Sequence, residues 1–293
     1  MMNHRSGFVN ILGNPNVGKS TIMNTLVGEK LSIITSKAQT TRHRIKGIVN
    51  GDDYQIVYSD TPGILRPQYK LQETMMNFVN TALYDADMIL YVTDVTEHSA
   101  NEGEYIDKIK QSGIPVIIAV NKIDLTNQDS LEKIVESWHL AFPDSLVIPV
   151  SALKNFNLEP LLNAILTMLP ENPPFFPKDQ LTDKYERFFA SEIIREKILV
   201  NYKKEIPYSV EIEIESFIDG KDIIKIRALI HVTRDSQKGI IIGHKGSMLK
   251  RVGTEARHDM EDFFRKKVFL ELYVKVTKDW RDKPLVLKRF GYQ

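Results

Sequence analysis

The chain has 293 residues, a length typical of two domains, and its 39 Lys and Arg nearly balance 38 Asp and Glu. With 42% hydrophobic and 26% charged residues the composition is globular, which excludes a disordered or collagen-like protein. There is no cysteine, which excludes disulfides, thiolate metal sites and cysteine nucleophiles. No stretch fits a signal peptide or a membrane span, and a cytoplasmic protein is therefore predicted.

Apolar, strand-like runs alternate with helical stretches through the first 170 residues. This alternation predicts βα units, and hence an α/β domain with a mainly parallel sheet and helices on both faces. The predicted strands are Phe8 to Leu12, Tyr54 to Tyr58, Met88 to Val95, Val116 to Val120 and Leu146 to Val150.

A phosphate-binding motif follows the first of these strands. Residues 13–20 read GNPNVGKS, which fits G-x-x-x-x-G-K-[ST] between a strand and a helix. In such a loop Gly13 and Gly18 let backbone amides surround the β-phosphate. Lys19 reaches the β and γ oxygens, and the Ser20 hydroxyl is placed for Mg²⁺. A chance glycine-rich turn is the alternative interpretation.

Two further segments suit the metal and the γ-phosphate. Residues 39–42, Gln-Thr-Thr-Arg, are polar and without strong periodicity, as in a switch whose threonine caps Mg²⁺ only when γ-phosphate is present. We favour Thr41 over Thr40 for this role. Asp60-Thr61-Pro62-Gly63 ends a strand, which puts Asp60 where an acid holds Mg²⁺ and the Gly63 amide where a γ-phosphate is sensed. Turns and helix caps would explain each segment alone.

A base-reading element lies at the end of the Val116 to Val120 strand. The Asp124 carboxylate can accept from both N1–H and N2–H₂ of guanine, a donor pair that adenine lacks. Lys122 would lie along the base, and Asn121 would tie this loop to the phosphate loop. Ser151-Ala152-Leu153, after the last strand, would back the guanine with amides. Alone, N-K-x-D is a weak motif, because an Asp after a strand is more often a helix cap.

Four prolines between residues 170 and 177 predict a domain boundary, because neither a helix nor a central strand tolerates them. We therefore predict a first domain at 1–170, a Pro-rich linker at 171–180 and a second domain at 181–293 with a basic C-terminal tail. Residues 1–180 carry a net charge of −5 and residues 181–293 one of +6. A basic half indicates a polyanionic partner, with a solvated basic face as the alternative.

The second half has a different pattern of elements. A helical stretch near Ser191 to Tyr202 precedes a strand in which Val210, Ile212 and Ile214 alternate with glutamates. Asp219-Gly220 predicts a hairpin turn into a second alternating strand, Ile224 to Val232. Two helical segments then precede a third strand, Val268 to Val276.

Together these motifs resemble those of translation-factor-class GTPases, and the whole chain resembles the Era family of bacterial ribosome-assembly GTPases, in which an Era/TrmE-like GTPase domain is followed by a type II KH domain. Residues 239–246, GIIIGHKG, carry the second part of the resemblance. Such a loop grips a nucleic-acid backbone because Gly243 and Gly246 leave no side chain in the way, with His244 and Lys245 beside them. By itself GxxG also fits a turn between helices.

The resemblance implies specific site residues. Catalytic roles fall on Lys19, Thr41 and Gly63, and Mg²⁺ is held by Ser20, Thr41 and Asp60. K⁺ at Asn16 is a further implied cofactor. The implied nucleotide site comprises Gly13, Asn14, Pro15, Asn16, Val17, Gly18, Lys19, Ser20, Thr21, Asp60, Thr61, Pro62, Gly63, Asn121, Lys122, Asp124, Ser151, Ala152 and Leu153. The implied RNA site comprises Gly243, His244, Lys245, Gly246, Lys250, Arg251 and Trp280, although Trp280 could instead pack against the third strand.

The implied function is a GTP-hydrolysing switch that binds the 3′ end of 16S ribosomal RNA and assists assembly of the 30S subunit. Ile64 stands where small signalling GTPases have a water-orienting glutamine, so slow turnover is expected. A cytoplasmic monomer is expected, with peripheral contact to the inner membrane as a further property of the family. The basic tail around Lys288 could touch either RNA or a membrane surface.

Two functions from other classes compete with this interpretation. A metabolic P-loop kinase or ATPase would share the phosphate loop, but Asp124 and the KH-like half argue against it. An RNA-binding structural protein with an incidental nucleotide site would not need the full set of GTPase motifs.

Overall fold

The computed structural model describes residues 4–97 and 103–292. Residues 1–3, 98–102 and 293, which the predicted domains include, lie outside the description. The chain divides into two compact units. The first takes the chain up to Ser32, together with Thr41–Pro67 and Met75–Asp183. The second takes Ile33–Thr40, Gln68–Thr74 and the chain from Lys184 onward.

The first unit contains a six-stranded sheet. Its strands are β1 (Arg5–Leu12), β2 (Ile45–Asn50), β3 (Tyr54–Asp60), β4 (Met88–Asp94), β5 (Val116–Asn121) and β6 (Leu146–Pro149). They lie in the order β2-β3-β1-β4-β5-β6, and every neighbouring pair is parallel except β2 with β3. The predicted α/β fold with a mainly parallel sheet is confirmed. Because parallel strands end at one edge, the loops after β1, β3, β4 and β5 meet there.

Helices cover this sheet through apolar faces. They are α1 (Lys19–Val27), α2 (Lys70–Tyr84), α3 (Glu104–Ser112), α4 (Gln128–Ala141) and α5 (Leu158–Met168). Val79, Ile109 and Trp138, from α2, α3 and α4, are buried in one cluster with strand residues such as Tyr91. The Trp138 and Tyr91 ring centroids are 5.4 Å apart. Helix α1 contacts β1, β2 and β3 as well as α5.

The predicted linker packs along the first unit instead of standing free. The buried Gln55 side chain on β3 donates to the Phe176 carbonyl over 2.8 Å and accepts from the amides of Phe175 and Phe176. Prolines exclude this segment from helix and central strand, but they leave an extended chain able to bond to a side chain at the sheet. The first unit accordingly continues to Asp183, and the domain limits inferred from the sequence stay a prediction.

The second unit contains a three-stranded sheet, as predicted for a KH domain. Antiparallel β7 (Glu211–Asp219) and β8 (Ile223–Val232) are joined by a hairpin, and β9 (Lys267–Val276) pairs parallel to β8. Its helices are α6 (Glu186–Asn201), α7 (Ile206–Ser209), α8 (Asp235–Ile242), α9 (Ser247–Phe264) and α10 (Pro284–Arg289).

Sequence periodicity explains the core of this unit. Alternate residues of β8, from Ile224 to Val232, are buried, as a period of two places them on one face. They pack against Ile194 and Ile198 of α6, and against Val252 and Ala256 of α9, which are spaced by one helical turn. Among the helices of residues 4–97 and 103–292, none has the length and apolar character needed to cross a membrane.

Candidate functional site

The phosphate loop has a backbone that only glycine fits at two positions. Gly13 and Gly18 have φ of 145° and 100°. A Cβ at Gly13 would lie 2.0 Å from the Val92 carbonyl oxygen, and one at Gly18 would lie 2.2 Å from Asn121 Nδ2. The two glycines therefore allow the loop between β1 and α1 to pack against β4 and β5.

Lys19 is folded back over the loop that precedes it. Its side chain is buried, and Nζ donates to the carbonyl oxygens of Gly13 at 3.0 Å and Asn14 at 2.8 Å. Burial lowers the pKa of Lys19 to about 8, against the charge of Asp60, which raises it. An anionic phosphate at the loop would favour the charged ammonium.

Three side-chain oxygens converge beside the phosphate loop. Ser20 Oγ donates to Asp60 Oδ2 over 2.6 Å and lies 3.0 Å from Thr41 Oγ1, which is itself 3.3 Å from Asp60 Oδ2. Asp60 Oδ1 is buried and has no hydrogen-bond partner among the described residues. Burial raises the pKa of Asp60, against the hydrogen bond from Ser20 and the charge of Lys19. Hard oxygen donors with one orphaned carboxylate oxygen fit a Mg²⁺ ion.

The structure separates the two candidate switch threonines. Thr41, the favoured one, contributes its hydroxyl to the oxygen cluster. Thr40 instead donates to the Lys37 carbonyl over 2.6 Å and lies 2.7 Å from the Thr35 hydroxyl. Thr40 therefore organises its own loop.

Gly63 comes close to the phosphate loop, and Ile64 does not face a water-orienting position. A Cβ at Gly63 would lie 2.7 Å from both N and Cα of Pro15. The Ile64 amide donates to the Gly13 carbonyl over 3.2 Å, while its side chain packs against the apolar cluster of α2, α3 and α4. Thr61, predicted at the nucleotide, donates its hydroxyl to the Ile11 carbonyl and so joins β3 to β1.

The base-reading loop is tied to its neighbours as the sequence suggests. Asn121 Nδ2 donates to the Val17 carbonyl over 2.8 Å, and its Oδ1 accepts from the Ala152 amide over 3.0 Å. The Ser151 hydroxyl donates to Asp124 Oδ1 over 2.5 Å. Asp124 is exposed and oriented by this bond, so its carboxylate can meet a planar base with two donors.

Sequence reasoning missed Asp94, at the end of β4. Its carboxylate pairs with Lys122 and accepts from the Thr96 amide and hydroxyl. Although burial raises it, the hydrogen bonds from Lys122 and Thr96 hold the pKa of Asp94 below its ordinary value. Lys122 Nζ also donates to the Asn16 carbonyl over 2.7 Å. No contiguous motif marks Asp94, because its role depends on β4 lying parallel to and beside the strand that Asn121 ends.

The Gly243–Gly246 loop joins α8 to α9 and exposes His244 and Lys245. Gly243 and Gly246 have φ of 71° and 78°; a Cβ at Gly243 would meet Met248 at 2.7 Å, whereas one at Gly246 would enter open space. Beside the loop lies a groove of about 390 Å³. It is lined by Gly246, Leu249, Lys250, Gly253, Thr254, Arg257, Leu270 and Leu272.

The groove includes some predicted RNA residues and excludes others. Lys250 lines it, whereas Arg251 pairs with Glu255 along the helix at 2.9 Å. Arg257 was missed, although its spacing of seven from Lys250 places both on one helix face. The assignment of Trp280 to RNA contact is wrong, because its indole is 0% exposed and donates to the Ser209 carbonyl over 3.0 Å.

Comparisons with known proteins agree with both parts of this geometry. The family described as 50S ribosome-binding GTPase matches residues 8–122, and the KH domain family matches residues 205–281. GTPase Era of Staphylococcus haemolyticus is 43% identical over 294 residues, covering 100% of this chain and 98% of the relative. The chain belongs to the Era family of GTPases. GTPase Era of Ruminiclostridium cellulolyticum is 42% identical, with 100% and 99% of the two chains covered.

Two solved Era structures share the fold of this Era-family chain. One is Era in complex with MgGDPNP and nucleotides 1506–1542 of 16S ribosomal RNA, with 40% identity, a TM-score of 0.95 and 99% of each chain covered. The other is an Aquifex aeolicus Era variant bound to GDP and AlF₄⁻, with 40% identity, a TM-score of 0.94 and coverage of 98% and 99%. The predicted GTPase activity and the arrangement of a GTPase domain before a KH domain are confirmed, and the kinase, ATPase and purely structural alternatives are set aside.

Proposed function

We propose that this Era-family GTPase binds the 3′ end of small-subunit ribosomal RNA through its KH unit and assists maturation of the 30S subunit. The observation that carries the proposal is that one chain holds both the Ser20, Thr41 and Asp60 oxygen cluster and an exposed GxxG loop beside a basic groove. The solved relative that binds MgGDPNP and 16S ribosomal RNA supports it.

Residues of the phosphate site change their hydrogen-bond partners when GTP binds. Mg²⁺, when bound, neutralises charge on the β- and γ-phosphates. Ser20, Thr41 and Asp60 would hold that ion, while Lys19 would exchange its bonds to the Gly13 and Asn14 carbonyls for phosphate oxygens. The conformation of its loop determines whether Thr41 reaches the oxygen cluster. The position of Thr41 therefore distinguishes the GTP-bound state from the GDP-bound state.

Slow turnover follows from Ile64. Its side chain is part of an apolar cluster and has no group that could orient an attacking water. Hydrolysis therefore depends on water held by backbone, by bound metal or by a partner. A slow intrinsic rate suits a switch whose bound RNA, and not chemistry alone, determines how long the GTP state persists.

Potassium is the second cofactor in the proposal. Asn16 is exposed in the phosphate loop, where its φ is 65°. An amide oxygen is a suitable donor for a cation that compensates phosphate charge. We expect turnover to rise when K⁺ replaces Na⁺ at equal ionic strength, and Asn16→Ala to remove the difference. Equal rates in both salts for the wild-type chain would contradict the potassium site.

Guanine selection rests on Asp124 with Ser151, Ala152 and Leu153. The Ser151 bond leaves Asp124 Oδ2 and the remaining lone pairs of Oδ1 for the base. Asn121 couples this loop to the phosphate loop through Val17. Base and phosphates are therefore bound by one connected network.

RNA recognition rests on the loop and groove of the second unit. Gly246 leaves open space for a phosphate, and Lys250 and Arg257 supply positive charge along the groove. Leu270 and Leu272 of β9 form its apolar wall, against which unstacked bases can lie. A groove of this kind favours single strands, whose bases are free to enter it.

The decisive experiment measures GTP turnover and RNA affinity in one preparation. We expect hydrolysis of GTP but not ATP, and binding of a single-stranded oligonucleotide from the 16S 3′ end in preference to a duplex of equal length. Turnover without RNA should differ from turnover with it. Hydrolysis of both nucleotides, or equal binding of single strand and duplex, would contradict the proposal.

We further propose that the chain is monomeric and touches the membrane only at its surface. Leu285 and Lys288 on α10 are both exposed, which offers an apolar and a basic group to a lipid surface. Light scattering tests the first statement. Sedimentation with anionic vesicles tests the second, and no binding at low salt would reject it.

A further inference from the structure

Helix α6 of the second unit holds the loop Ile33–Thr40, which belongs to the same unit. Lys37 Nζ donates to the carbonyl oxygens of Leu199 and Tyr202 at the C-terminal end of the helix. One turn earlier, Arg195 Nη2 donates to the carbonyl oxygen of Thr40. The loop is therefore attached to the helix at two points, through the Lys37 side chain and through the Thr40 backbone.

Arg195 is itself held rigidly. Its side chain is 1% exposed, and its guanidinium donates to both carboxylate oxygens of Glu192, at 2.7 and 2.5 Å. Glu211 and Tyr292 also act on it electrostatically, and the Tyr292 hydroxyl donates to Glu211 over 2.6 Å. A planar guanidinium bound by two parallel bonds has little freedom to rotate, so the second N–H of Nη2 points in one direction, towards the Thr40 carbonyl.

The acceptor of that N–H, the Thr40 carbonyl, directly precedes Thr41, which is a member of the oxygen cluster. Arg195 binds the Thr40 carbonyl, and the following residue, Thr41, places its hydroxyl 3.0 Å from Ser20 Oγ. The peptide between Thr40 and Thr41 is planar, so fixing its carbonyl oxygen also fixes the direction in which the Thr41 Cα leaves. Thr40 contributes its own side-chain bond to the Lys37 carbonyl, which stiffens the loop further.

We propose that Arg195 is a positioning residue for GTP hydrolysis, which acts by holding the Thr40 carbonyl so that Thr41 stays in the oxygen cluster. The proposal rests on the proposed function of the nucleotide site and assigns its regulation to α6. Without the bond from Arg195, the Thr40 carbonyl is no longer held and Thr41 is released. The bond from Arg195 and the binding of GTP, which needs Thr41, are then coupled.

The first test compares Arg195→Lys with Arg187→Lys, a control at an exposed arginine of the same helix. Lysine keeps the charge beside Glu192 but cannot form the bidentate pair and reach Thr40 at once. We expect GDP affinity to stay within about twofold, while GDPNP affinity and GTP turnover each fall by about tenfold, as for loss of one charged hydrogen bond. The control should leave all three unchanged.

A double-mutant cycle with Thr41→Ala separates positioning from a general loss of structure. If Arg195 acts through Thr41, Arg195→Lys should cause no further loss of GDPNP affinity in the Thr41→Ala chain. An equal loss in both backgrounds, or an unchanged ratio of GDP to GDPNP affinity in the wild-type background, would overturn the proposal. Failure of the wild-type chain to bind GTP would instead reject the proposed function of the nucleotide site.

A second variant keeps the test decisive if Arg195→Lys does not fold. Lys37 is only partly buried, and Lys37→Ala removes the other attachment of the loop to α6 while leaving the Glu192 pair intact. We expect the same direction of change, a selective loss of GDPNP affinity over GDP affinity, relative to Lys133→Ala, an exposed lysine on α4. A folded Lys37→Ala chain with wild-type affinity for both nucleotides would overturn the role of α6.

Discussion

At the scale of single residues, Asp124 is the clearest case of one side chain determining a substrate. Its exposed carboxylate is oriented by the Ser151 hydroxyl and faces no competing cation among the bonds described for it. We expect Asp124→Asn to lower GTP affinity by about tenfold to a hundredfold, since a charge-assisted pair of acceptors is lost. Xanthosine triphosphate should gain affinity, because the amide can donate to the xanthine carbonyl.

Competition binding with GTP and xanthosine triphosphate measures this change. Asp144→Asn, at an exposed turn of the same unit, is the matched control and should keep the preference for GTP. Wild-type GTP affinity in Asp124→Asn would show that another group reads the base.

Sequence could predict those residues of the site that belong to a contiguous motif. Ser20 and Asp124 follow a strand and Asp60 ends one, each within a recognisable pattern, and the structure places them at one edge of the sheet. Asp94 and Arg195 were not predictable in this way. Each acts on a partner far along the chain, Lys122 or the Thr40 carbonyl, and such pairs are determined by tertiary packing.

At the scale of elements, the loop between α8 and α9 is expected to determine RNA recognition. Gly246→Asp puts a carboxylate where Gly246 leaves open space, so it should repel the RNA backbone and lower affinity for the single-stranded 16S 3′ end by at least about tenfold. GTP turnover without RNA should not change. Filter binding or fluorescence anisotropy measures the affinity.

Gly113→Asp is the matched control for this loop. Gly113 also has a positive φ, 69°, with open space around its Cβ, but it follows α3 in the first unit. The Gly113→Asp substitution adds the same charge and the same backbone strain away from the groove, so RNA affinity should stay near the wild-type value. Lys288→Ala should instead lower the salt slope by roughly 0.7, the value for one phosphate contact on a single strand. A Gly246→Asp chain that binds RNA normally would refute the role of this loop in RNA recognition.

The surroundings of His231 on β8 predict that the free energy of unfolding depends on pH. His231 is buried on β8; its Nε2 lies 2.9 Å from Glu213 and its Nδ1 2.8 Å from Thr277, and the Phe290 ring is 4.8 Å away. Burial lowers the pKa of His231, although Glu213 raises it, and Lys275 and Arg289 lower it further. Burial raises the pKa of Glu213, but its bonds from Arg289 and His231 lower it overall.

The sign follows from proton uptake. The unfolded chain protonates His231 near its ordinary pKa of about 6.5, whereas the folded chain takes up that proton only at lower pH. The free energy of unfolding should therefore decrease as pH falls below about 6.5. Chemical denaturation of the wild-type chain and of His231→Gln between pH 5 and pH 8 tests this, and an identical pH dependence in both chains would contradict it.

Element boundaries show where periodicity suffices and where it does not. The five predicted strands of the first unit are all present, and the alternation in β8 predicted both its strand and its buried face. The strand β2 was missed because it is a short edge strand in which Lys46 and Gly47 interrupt the apolar pattern. Its pairing with β3 determines its conformation more than its own residues do.

At the scale of the whole molecule, the division into two units predicts that a substitution can abolish the function of one unit and leave that of the other intact. Lys19→Ala should abolish turnover and weaken GTP binding, because the buried ammonium over the phosphate loop is removed. RNA binding measured without nucleotide should remain, since the core of the second unit contains none of the phosphate-loop residues. Loss of RNA binding together with cooperative unfolding would mean that Lys19 is structural.

Prolines and charge indicated two units, but they could not indicate that the loops Ile33–Thr40 and Gln68–Thr74 belong with the second one. Such membership depends on contacts like that of Arg195 with Thr40 and of Arg281 over the Tyr69 ring, at 4.7 Å. Neither loop has an apolar periodicity that would reveal its partner.

The chain has two tryptophans, and because both are buried, the fluorescence of each can report on the unfolding of its own unit. Trp138 lies in the core of the first unit and Trp280 in the second, at 2% and 0% exposure. Indole emission shifts to the red when water reaches the ring, so each unit carries its own intrinsic fluorophore. A Trp138→Phe chain would report only the opening of the RNA-binding unit, and a Trp280→Phe chain only that of the GTPase unit, with no attached dye.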